Sequence, residues 1–290
     1  MTDPRAFTLP LPTLGGKQLW ADEFVHRRYR IQRNTILGFH RLLDPRNLRL
    51  ARGTYEACAR AFDALAEAQD LARHSDEVVV LLHGIFRAKE GWTPMARALE
   101  AAGFEAEPVN YPSTQTGIEV HADQVERLLD RLRGARRVSF VTHSMGGLVA
   151  RELLSRDAPW RQRLTVNRLV MIATPNRGAE MADRLLPLWT FRRLAGPAAS
   201  QLTTDYVPHL PVPTVPFGVI AGVRGDGRGF NPLLAGEDDV TVSLASTHLD
   251  GAEDTLVVRA VHTFILQAPA VIEATVRYLR TGRFAALPTE

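Results

Sequence analysis

The chain has 290 residues, 45% of them hydrophobic and 23% charged, with a formal net charge of +3. That length can bury a large core, and no apolar run is long enough to span a membrane. The single cysteine, Cys58, excludes an intramolecular disulfide and any cysteine-based metal centre, and arginines spread along the sequence favour a mixed solvated surface over a nucleic-acid partner.

Met1 to Gly16 carries Pro4, Pro10 and Pro12 and lacks the apolar stretch of a signal peptide, so the location implied is cytoplasmic. Residues 21–76 read as mostly helical, which makes 1–76 a helical N-terminal extension ahead of a main domain at 77–290. Within it, Phe24–Arg33 mixes aromatics with Arg27, Arg28, Arg30 and Arg33. Two readings stand there: a basic surface for an anionic ligand or membrane, or packing on the main domain through Phe24, Tyr29 and Ile31. The alanine-rich run Thr54–Arg73 has apolar residues at helical spacing and predicts one helix, with Cys58 as a buried, inert thiol.

At Glu77 the pattern changes. Val78 to Leu82 is a continuous apolar run, the mark of a parallel strand covered on both faces. It ends in His83-Gly84-Ile85-Phe86. A helix over Thr93–Ala102, a strand over Phe104–Asn110 and an amphipathic helix over Ile118–Arg133 follow. Val138–Val141 is a buried strand that runs through Thr142-His143-Ser144-Met145-Gly146-Gly147 into a helical pattern. Strand, sharp turn with serine at its apex, then helix is the setting of a nucleophile elbow. Leu169–Ala173 is a further strand. Residues 178–213 break the rhythm as an insertion with Leu185, Leu186, Leu188, Trp189 and Phe191. They form either a cap over a site or the core of the inserted helices. Strands at Val215–Ala221 and Thr255–Ala260 and a helix from Ala268 to Leu279 close the chain.

Alternating strands and helices imply right-handed crossovers and a mainly parallel sheet with helices on both faces. Ligands bind such sheets at the carboxyl ends of the strands. The unusual polar residues fall there: His83, Ser144, Asp239 and His262. A serine hydroxyl needs a base, and the base an acid to orient it. His262 follows the last strand and is the candidate base. Asp239 is the candidate acid, with Asp238 second, which gives the chain order Ser, Asp, His. Backbone amides of Met145 and of Ile85, with Phe86 second, are the candidate oxyanion donors.

Four separated stretches then resemble one family. "VVVLLHGIF", "FVTHSMGG", "MIATPNRGAEMAD" and "DDVTVSLAST", followed by "VHTFILQAPAVIEATVRYLRTGRF", make residues 77 to 284 similar to α/β-hydrolases of the bacterial lipase and esterase type. The sequence departs at Val240, where that family usually has glycine. The resemblance implies an α/β-hydrolase fold with a cap insertion and a serine hydrolase acting on carboxylic esters of small molecules or lipids. It assigns Ser144, Asp239 and His262 to catalysis and needs no metal or organic cofactor. An acyltransferase or thioesterase using the same triad is the alternative, and a non-catalytic binding protein on this fold stands further off.

Overall fold

The computed structural model describes residues 11, 12 and 17–285. In chain order the elements are β1 (Leu11–Pro12), β2 (Trp20–His26), β3 (Tyr29–Asn34), β4 (His40–Leu43), β5 (Leu48–Gly53), α1 (Tyr55–Ala68), β6 (Glu77–Leu82), α2 (Thr93–Ala101), β7 (Glu105–Val109), α3 (Ile118–Asp130), β8 (Arg137–His143), α4 (Met145–Ser155), β9 (Thr165–Ile172), α5 (Glu180–Leu185), α6 (Trp189–Ala195), β10 (Phe217–Val223), α7 (Leu244–Thr247), β11 (Asp254–Arg259) and α8 (Pro269–Thr281).

Six of the strands make one sheet in the order β11-β10-β9-β8-β6-β7. Every pairing in it is parallel. The apolar run in β6 is fully buried because both faces are covered. On one side Val78, Val80 and Leu82 pack with Leu128 and Leu129 of α3 and Leu148 and Val149 of α4. On the other, Val79 and Leu81 pack with Met95 and Leu99 of α2 and Val271 and Tyr278 of α8. The main-domain strands and long helices thus lie where hydrophobic periodicity placed them.

Residues 21–53 do not. They read as mostly helical, and the structure instead folds them, with Trp20 and Leu11–Pro12, into a five-stranded antiparallel sheet, β1-β5-β4-β3-β2. Only α1 keeps the helical expectation, capped by the Thr54 side chain, which accepts from the Ala57 amide (3.2 Å). The physical reason for the error is that this small sheet is covered on both sides. Phe24, Ile31 and Leu42 cluster with Cys58 and Phe62 of α1. Burial there pushes the Cys58 thiol up to about 11, in keeping with an inert group.

The other side of the small sheet, where Val25 and Leu43 flank Arg30, is otherwise polar and equally buried. Arg30 donates to Asp22 Oδ2 (2.7 Å) and to the Pro108 carbonyl (2.6 Å). Gln32 donates to Asp22 Oδ1 (2.7 Å), and Arg41 in turn donates to Gln32 (2.8 Å). The Asn110 amide donates to Asp22 Oδ2, and Gln124 of α3 donates to the carbonyls of Asp22 and Asn110 (2.8 and 2.9 Å). A buried polar layer is tolerable only when its members are paired in this way. It seats β2 against the end of β7 and the middle of α3, and of the four arginines in Phe24–Arg33 only Arg30 belongs to this seam, while Arg27, Arg28 and Arg33 are exposed.

Candidate active site

At the carboxyl end of β8 the chain turns sharply into α4, with Ser144 at the apex. Ser144 has φ 53° and ψ −126°, a backbone region that non-glycine residues rarely occupy. The strain is held by packing. The Ser144 amide donates to the Ile172 carbonyl (2.9 Å). A Cβ on Gly146 would drive into the Leu82 carbonyl, and one on Gly147 into the Thr174 side chain. Only glycine lets β6, α4 and the chain after β9 come this close. Thr142, two residues before the serine, is buried with its hydroxyl donating to the Val170 carbonyl (3.1 Å).

Asp239 and His262 come from the loops after β10 and β11. His262 Nδ1 donates to Asp239 Oδ2 (2.6 Å), and the His262 amide donates to the Asp239 carbonyl (2.8 Å). Asp239 is held by an Asx turn, its Oδ1 accepting from the amides of Thr241 (3.0 Å) and Val242 (2.8 Å). Both side chains are buried. With Nδ1–H committed to the carboxylate, the free tautomer leaves Nε2 as a proton acceptor.

Asp238 has a different set of partners. Its carboxylate accepts from the amides of Asn231 (3.1 Å) and Val240 (2.6 Å), which ties down the glycine-rich loop after β10. Val240, where glycine is usual in the resembling motif, keeps the glycine-like backbone at φ 90°, a strained position for a β-branched residue.

The loop after β6 closes over the serine. A Cβ on Gly84 would sit 2.9 Å from Ser144 Cβ. Phe86 takes φ 60° in the same turn. His83 braces this loop: its Nδ1 donates to the Gly84 carbonyl (2.8 Å), its Nε2 accepts from the Tyr111 amide (3.3 Å) and its ring stacks on Tyr111. His143 braces the histidine loop, donating from Nε2 to the His262 carbonyl (3.2 Å). Arg87 crosses from one loop to the other by donating to Thr263 Oγ1 (2.9 Å). Nothing in the sequence marked that link, because a surface arginine carries no positional signal.

Ser144, His262, Ile85 and Phe86 line a single cavity of about 400 Å³. The insertion supplies much of its apolar wall through Ala179, Met181, Ala182, Leu185, Phe191 and Leu202. Trp189 and Leu194 of α6 stay exposed. Ser144 and His262 face this cavity from opposite loops. Met145, the other residue proposed to offer an amide, begins α4, where backbone N–H groups are unpaired by the helix and carry its positive end.

Burial sets the charge state around the site. Burial lowers His83 to about 4 and His121 to about 3. It also holds His143 well below 6.5, with the neighbouring His262 adding to the effect. All three are neutral in the folded protein near pH 7. Their folded values lie below the unfolded one, so the unfolded chain takes up protons first, and stability is lost as pH falls from 6.5 towards 4 and 3. Between pH 7 and pH 5 His83 and His121 each contribute a loss on the order of 1–2 kcal/mol, and His143 acts in the same direction. Urea denaturation is therefore expected to show a clearly lower midpoint at pH 5 than at pH 7, and equal midpoints would contradict it.

A family model described as a domain of unknown function (DUF7379) matches residues 45–188. Over 91 residues the chain is 34% identical to a triacylglycerol lipase of Pseudomonas fragi, a match that takes in 30% of this chain and 29% of that lipase. The chain therefore matches less than a third of the length of that curated relative. Among solved structures, the mature form of a Bacillus licheniformis lipase superposes with a TM-score of 0.58 at 18% identity, covering 72% of this chain and 94% of that one. A carboxyl esterase of metagenomic origin gives a TM-score of 0.54 at 16% identity, covering 72% of this chain and 78% of its own. With the parallel sheet and its crossovers, these likenesses establish the α/β-hydrolase fold. Among the described residues no helix is long and apolar enough to cross a membrane.

Proposed function

We propose that this protein is a serine hydrolase of carboxylic esters, working through an acyl-enzyme. The observation that carries the reading is the meeting, in one cavity, of a serine on a strained elbow with a histidine bonded to a buried aspartate. In this mechanism Ser144 Oγ attacks the ester carbonyl carbon while His262 Nε2 takes its proton. The carbonyl oxygen becomes an oxyanion held by the amides of Ile85 and Met145. Collapse breaks the bond to the alcohol, which leaves with the proton from His262. Water then attacks the acyl-enzyme, giving its proton to His262, and the second collapse returns that proton to Ser144 and frees the acid. Asp239 keeps the imidazole in the required tautomer and steadies its positive charge. Losing one oxyanion donor in such enzymes costs about 100- to 1,000-fold.

The apolar wall of the cavity fits the acyl group, and the insertion at 178–213 serves as the cap. The matched fragment of the Pseudomonas fragi lipase supports the reading of an ester substrate. Nitrophenyl esters of rising acyl length test this directly. Each buried methylene contributes about 0.8 kcal/mol, so kcat/KM is expected to rise about fourfold per CH2 until the cavity is filled. A fluorophosphonate probe should label the protein at one equivalent. No labelling and no hydrolysis across the series would remove this function.

A further inference from the structure

A second cluster of polar side chains lies at the opposite end of the main sheet. Glu105 and Glu107 sit two residues apart on β7, in register with Val78 and Val80 of β6, so they belong to the entering half of the strand. The catalytic loops leave from its far end. His74, on the link between α1 and β6, comes within bonding reach. One ligand atom from each of His74, Glu105 and Glu107 lies within 4.8 Å of the other two. The three come from the seam where the small sheet meets the large one.

Each side chain has one polar atom fixed by a backbone group. His74 Nε2 donates to the Val25 carbonyl (3.2 Å), and Nδ1 donates to Glu105 Oε1 as an ion pair. Glu105 Oε2 accepts from the Ser75 amide (2.7 Å), and its Oε1 is the atom against His74 Nδ1. Glu107 Oε1 accepts from the Arg28 amide (3.3 Å). Glu107 Oε2 is buried with no partner, and the whole residue has 0% exposure. With no ion bound a proton holds His74 to Glu105, and the second buried carboxylate oxygen beside them, without a donor, is where a cation that displaced this proton would find its further ligand. The nearby arginines are committed elsewhere: Arg30 to Asp22, and Arg28 to Glu100 at 2.6 Å. Among the described residues no basic side chain pairs with Glu107.

We propose that His74, Glu105 and Glu107 bind a divalent zinc ion that clasps the small sheet to the main domain. One imidazole nitrogen and two monodentate carboxylate oxygens are a zinc donor set, whereas calcium and magnesium favour oxygen alone. The backbone bond from the far imidazole nitrogen is the orientation usual for a ligating histidine. A cleft of about 360 Å³, lined by Ser75, Glu105 and Glu107, gives ion and water a way in, and water supplies the fourth ligand. Tetrahedral ligands at about 2.0–2.1 Å from zinc require small side-chain rotations to close the cluster. The ion would lie at the sheet's entering end, away from Ser144, and so takes no part in the ester chemistry.

The full chain, stripped with chelator and titrated with zinc chloride, tests this. One equivalent should bind by calorimetry. At a free zinc concentration about a hundredfold above Kd, the thermal midpoint should rise by roughly 5 °C or more. Glu107→Gln and Glu105→Gln, each isosteric, should lose both responses, while His262→Ala keeps them and so excludes zinc held by the catalytic loops. Without metal, Glu107→Gln should be at least as stable as the native protein, because it removes a buried charge that has no partner. Cobalt(II) added to the stripped native protein should give tetrahedral visible bands. Absence of a zinc response in the native protein, an undiminished response in Glu107→Gln, or an octahedral cobalt spectrum overturns the proposal.

Discussion

Replacing Ser144 with alanine is expected to lower kcat for ester hydrolysis by about 10⁵- to 10⁶-fold, with the thermal midpoint almost unchanged. The two readouts separate because the hydroxyl is not part of what holds the elbow. The turn is fixed by the Ser144 amide on Ile172 and by the close approaches at Gly146 and Gly147, and alanine preserves all of them. Ser144→Gly should be equally inactive yet more stable than the alanine variant by about 1 kcal/mol, since glycine takes φ 53° without strain. Residual turnover in the alanine variant would come from the oxyanion donors and binding alone. Activity within tenfold of the native protein, or probe labelling that persists, would show that another residue is the nucleophile.

Asp239→Asn should lower kcat by about 10⁴-fold. The amide can still bond His262 Nδ1, but it stabilises the wrong tautomer and offers no charge to the imidazolium. Asp238→Asn should divide the effects the other way. Its carboxylate takes the amides of Asn231 and Val240, so losing the charge weakens bonds that shape the loop, costing about 1–3 kcal/mol of stability. Its kcat should stay within about tenfold. Denaturation midpoints and kcat measured on both variants decide the assignment, and a reversal of the pattern would make Asp238 the acid.

The parallel sheet and the residues at its strand ends were legible because burial on both faces leaves unbroken apolar runs and because the elbow needs glycine at fixed places. The choice between Asp238 and Asp239 was not, since adjacent carboxylates differ only in which loop amides they accept. The small sheet was missed for a specific reason. Its β2–β3 hairpin turns through Arg27 and Arg28, both at positive φ (47° and 71°), where Asn-Gly or a similar pair is the usual signal. Its second buried face is built from Asp22, Arg30, Gln32 and Arg41, which in a sequence look like the solvated side of a helix. Two later turns did carry cues. Asn34 accepts from the Leu37 amide ahead of Gly38, and Asp44 accepts from the Leu48 amide across Pro45 and Asn47.

The polar seam also imposes a timetable on the growing chain. Gln124, which donates to the Asp22 carbonyl, leaves the ribosome 102 residues after it. At about 5–20 residues per second, the first sheet waits on the order of 5–20 s for its cover. An apolar face left open for that time would invite association with other nascent chains. Around Val25 and Leu43, the side chains of Asp22, Arg30, Gln32 and Arg41 keep this face wetted and satisfy part of its bonding while it waits. The polarity that disguised these strands is thus what lets them be made first.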